Sequence, residues 1–127
     1  MENAPSQEVT AACGGFLLVA AADARIESVE EARFLAGVVN EAPFKRFETK
    51  SLEREYVRLR DFLMKDFDAA EAEILSAIAS VKSDERAVEA VMLASRHAVI
   101  ADDIIKPQEE LVIAEIARAL GRPAGEI

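Results

Sequence analysis

Ala22-Asp23-Ala24-Arg25-Ile26-Glu27-Ser28-Val29-Glu30-Glu31 returns later in the chain as Ala101-Asp102-Asp103-Ile104-Ile105-Lys106-Pro107-Gln108-Glu109-Glu110. Both stretches read Ala-Asp-x-x-Ile-x-x-x-Glu-Glu, and Ala22 and Ala101 stand 79 positions apart. Each copy follows an apolar, alanine-rich run and precedes a second run with apolar residues at helical spacing. Each therefore reads as the corner of a helical hairpin, with an aspartate closing one helix and glutamates opening the next. Ile26 and Ile105 anchor the loops to the core.

The register of the opening helix differs in clarity between the copies. Pro107 suits a first helical position, because its missing N–H would have no partner there anyway. Lys106 is then the cap and Glu109 the third helical residue. The same assignment in the first copy makes Glu27 the cap and Glu30 the third residue. Ser28 with Glu31 offers a rival capping box one residue on. In either register the carboxylates face the positive end of a helix dipole and can reach free backbone amides.

Outward from the corners the pattern stays helical. Residues 1 to 7 read as a flexible leader, and residues 8–127 as one helical domain. Val9, Ala12, Cys13, Phe16, Leu17 and Ala20 form the stripe of a first helix, which Gly14 and Gly15 weaken while allowing another backbone to approach. A second helix begins near Ser28, carries Phe34, Leu35, Val38, Val39 and Ala42 on one face, and stops at Pro43. A third runs from about Ser51 to Lys65 with Leu52, Tyr56, Leu59 and Leu63 inward and mixed charges outward, such as Arg58 with Asp61. A fourth starts at Asp68, where Asp68-x-x-Glu71 is a capping box. A fifth spans Asp84 to about Asp102 with only a thin polar stripe of Glu85, Glu89 and Arg96, which predicts a central helix covered on most sides. A sixth follows Pro107, carries Val112, Ile113, Ile116, Ala117 and Leu120, and ends at Gly121 with Pro123 beyond. No strand alternation or hairpin signal competes. The fold expected is an all-α single-domain bundle of six or seven short helices with approximate internal twofold symmetry.

The chain has 127 residues, enough for one domain with a real core. Its formal net charge of −9 argues against nucleic acid or an anionic membrane surface as partner and leaves room for cations or a basic protein. The single Cys13 cannot form an internal disulfide, which fits a reducing compartment. The apolar run from Gly14 to Ala22 is too short to insert into a membrane. The N-terminus is acidic and unlike a signal peptide, so the location expected is cytoplasmic.

The corners carry the functional reading. Under a twofold relation between the halves, Asp23, Glu30, Asp102 and Glu109 would lie close together, and clustered carboxylates repel unless a cation or proton sits among them. Oxygen ligands suit calcium, magnesium or manganese rather than zinc. Other chemistry is weakly represented. His97 on the fifth helix reads as a packed, hydrogen-bonded histidine, and Cys13 as an inert buried thiol. There is no Glu-x-x-His pair, EF-hand loop, phosphate-binding glycine loop or Cys-x-x-Cys.

The corner resembles the Ala-Asp-Gly-x-Ile-x-x-x-Glu signature of the TerB-like (tellurite-resistance TerB) family, whose members are bundles of about seven helices. The resemblance covers roughly residues 8 to 122 and both signature copies. It carries the family's acidic residues onto Asp23, Glu30, Asp102 and Glu109. The family's glycine after the aspartate is Ala24 in the first copy and Asp103 in the second, where Asp103 adds a further carboxylate. The resemblance implies a non-enzymatic module of stress-response or tellurite-resistance systems that binds a divalent metal and contacts protein partners. A metal-dependent enzyme using the same carboxylates, and a purely structural adaptor or homo-oligomer, stay open as alternatives.

Overall fold

The computed structural model describes residues 7–21, 47–100 and 107–123, without the side chains of residues 97, 99, 100, 108 and 109. Every element among these residues is helical: α1 (Gln7–Ala20), α2 (Thr49–Lys65), α3 (Phe67–Ser80), α4 (Glu85–Ile100) and α5 (Pro107–Leu120). The helix expected from Ser28 to Ala42 lies outside the described residues.

The core is built around α1. Every residue from Val9 to Ala20 is buried, and the helix packs on all four of the others. The helix beginning near Asp84 keeps the thin polar stripe expected of it, with Arg86 beside Glu85, Glu89 and Arg96, but α1 is covered more completely. The reason is composition: no charged residue stands between Glu8 and Asp23, so α1 has no face to give to water. By contrast α4 exposes Arg86, Glu89 and Arg96 and buries the opposite face of Ala87, Val88, Ala90, Val91, Ala94 and Ala98.

Close approach to α1 depends on its two glycines. A Cβ on Gly14 would overlap the side chain of Ile74 in α3. A Cβ on Gly15 would stand 3.2 Å from Ser95 Oγ and 3.3 Å from a Val91 methyl in α4. Against α2, α1 runs antiparallel: Thr10 meets Glu55, and Cys13, three residues later, meets Leu52, three residues earlier. Phe16 and Tyr56 complete this contact with tilted rings whose centroids are 6.1 Å apart.

The helix ends follow local chemistry. One residue, Asp66, separates α2 from α3. Its N–H donates to Phe62 O, closing α2, and its carboxylate accepts from Ala69 N at 3.2 Å, opening α3. The cap is thus Asp66, not Asp68 as the sequence suggests, because Asp68 already lies in the first turn. Asp84 caps α4 through Arg86 N at 3.0 Å and Ala87 N at 3.4 Å. α5 opens at Pro107 as expected and closes at Gly121, whose φ is 71°. Arg122 N donates to Ala117 O at 2.9 Å and Gly121 N to Arg118 O at 3.1 Å, the paired bonds of a Schellman stop. Arg122 then pairs with Glu85, which ties the end of α5 to the start of α4. None of these helices is long and apolar enough to cross a membrane.

Candidate functional site

The helices that lead into the two acidic corners meet. α1 ends beside the first corner and α4 beside the second, and α1 packs more extensively on α4 than on any other described helix. Within this contact Gly15 sits against Val91 and Ser95. The position that matches Gly15 in the 79-residue repeat is Ala94, which lies between those two neighbours. Ala21 and Ile100 stand six residues beyond Gly15 and Ala94 in the sequence.

Of the acidic residues singled out in the sequence, Asp23, Glu30, Asp102 and Asp103 lie outside the described residues. Glu109 falls on the third residue of α5, as Pro107 at the first position requires, and its side chain is not described. Among the described residues no three His, Cys, Asp or Glu side chains form a group able to hold a metal. The His97 side chain is likewise not described.

A buried polar cluster that the sequence reading missed lies between α1 and α2. Glu55 is 3% exposed. One carboxylate oxygen accepts from the Thr10 hydroxyl at 2.8 Å and from Arg58 Nη2 at 2.7 Å, and the other accepts from Arg58 Nε at 2.8 Å. The fork of Arg58 also donates to Glu73 of α3 at 2.7 Å. Bonds to Glu55 first, then to Glu73, hold the Arg58 guanidinium well above its usual range. Arg58 thus pairs with Glu55 and Glu73 rather than with Asp61, whose partner is Arg60. A sequence signal existed: Glu55 sits three residues from Leu52 and four from Leu59, inside the inward stripe, and Thr10 interrupts an apolar helix.

Cys13 lies beside this cluster. Its thiol donates to Leu52 O at 3.5 Å, and burial first, then the charge of Glu55, pushes its pKa well above the usual range. The cluster is closed: both Glu55 oxygens are engaged, and the thiol is held protonated. It fastens three helices, through Thr10, Glu55 with Arg58, and Glu73.

A third group stands on the outer surface, where α3 and α5 touch. Burial raises the pKa of Glu71, and the charges of Glu115 and then Asp68 raise it further.

A family model described as "Tellurite resistance protein TerB" matches residues 9–127, a span that includes both acidic corners. Comparison with curated proteins and with solved structures gives no match.

Proposed function

Because this chain belongs to the TerB family of tellurite-resistance proteins, we propose that it is a non-enzymatic helical module that binds a divalent cation through its paired corners and docks a protein partner. The observation that supports this most is that α1 and α4, the helices that precede the two copies of the repeat, pack on each other. The helix expected over residues 28–42, with a short turn at the C-terminus, would bring the bundle to six or seven.

Asp23, Glu30, Asp102, Asp103 and Glu109 would hold the ion. Their donors are carboxylate oxygens only, which fits calcium, magnesium or manganese. An ion there would relieve the repulsion of the clustered acids and fasten one corner to the other. The start of α5 supports the assignment, since Glu109 occupies the first turn that the repeat demands. The setting we infer from the family is a tellurite-resistance or stress response carried through protein contact in the cytoplasm.

The test is a thermal melt of chelator-treated protein with and without millimolar calcium, magnesium or manganese. A ligand that binds only the folded state raises the melting temperature, by about 2.7 kcal/mol of stability at a hundred times its Kd. We expect a rise with at least one ion, and its loss in Asp23→Asn/Asp102→Asn. Absence of a rise with all three ions would leave the acids as helix caps and overturn the cation half of the proposal.

A further inference from the structure

We draw no further inference here: the strongest candidate, the exposed apolar pair Met64 and Phe67 at the α2–α3 joint, stands among exposed charges of both signs, Lys65 with Asp66 and Asp68, and nothing in the structure shows what covers it.

Discussion

The Thr10 hydroxyl donates to the Glu55 carboxylate at 2.8 Å, joining the first helix of the chain to the next described one through a buried charge. Thr10→Val keeps the shape and removes the donor. We expect a loss of about 1–3 kcal/mol in urea denaturation, the range for a hydrogen bond to a charged group in a buried setting. Because the partner is charged, Thr10→Val on a Glu55→Gln background should cost less than Thr10→Val alone, and equal costs would show that the hydroxyl does not serve the carboxylate.

Gly14 and Gly15 should respond differently to alanine. In an exposed helix either change gains roughly 1 kcal/mol. At Gly14 the new methyl would overlap Ile74, whose movement is limited by a close-packed core. Gly14→Ala should therefore destabilise the protein by about 1–3 kcal/mol. Gly15→Ala meets only tight contacts with Ser95 and Val91 and should cost much less. Denaturation midpoints of the two variants decide this, and equal midpoints would contradict the packing described.

Glu71 gives a pH dependence with a definite sign. Its pKa in the fold is raised, by burial first and then by Glu115 and Asp68, so the ionised form is disfavoured by folding. The fold then binds more protons than the unfolded chain between the two pKa values, and stability falls as pH rises through that window. The penalty is complete above the folded pKa and absent below the unfolded one. Glu71→Gln should stabilise the protein at pH 7 by less than about 1 kcal/mol, since water screens this partly exposed site. The gain should vanish near about pH 3.5, below the ordinary glutamate range. Paired melts at the two pH values check it.

Cys13 should be silent in the native state. Its thiol is buried and its pKa is held up by burial and by Glu55, so little thiolate forms. An aromatic disulfide reagent at about pH 8, just under the free thiol range, should label it only as fast as the chain unfolds. Rapid labelling of folded protein would mean that α1 is open to solvent at this point.

Much of the architecture could be read from single residues. Pro107, Gly121 and Asp84 place helix ends because each acts through its own backbone or the nearest amides. The same locality explains the misplaced cap before α3. Asp66 and Asp68 are both competent caps, and the choice depends on where α2 stops. Glu55 was harder to read. An acid on an amphipathic helix is usually solvated, and its burial follows from Thr10, 45 positions earlier, which local spacing cannot reveal. The acidic corners were legible as a repeat. What the repeat could not give was the contact of Gly15 with Val91 and Ser95, because a sequence period states equivalence and not contact.

The enclosure of α1 has a consequence for synthesis. Its residues from Val9 to Ala20 are covered by helices that include α4 and α5, the second of which ends at Leu120. A ribosome adding about 5–20 residues each second needs on the order of ten seconds to make the chain that covers it. Throughout that interval α1, the most apolar of the described helices, has an incomplete cover and exposes apolar surface until α5 is released.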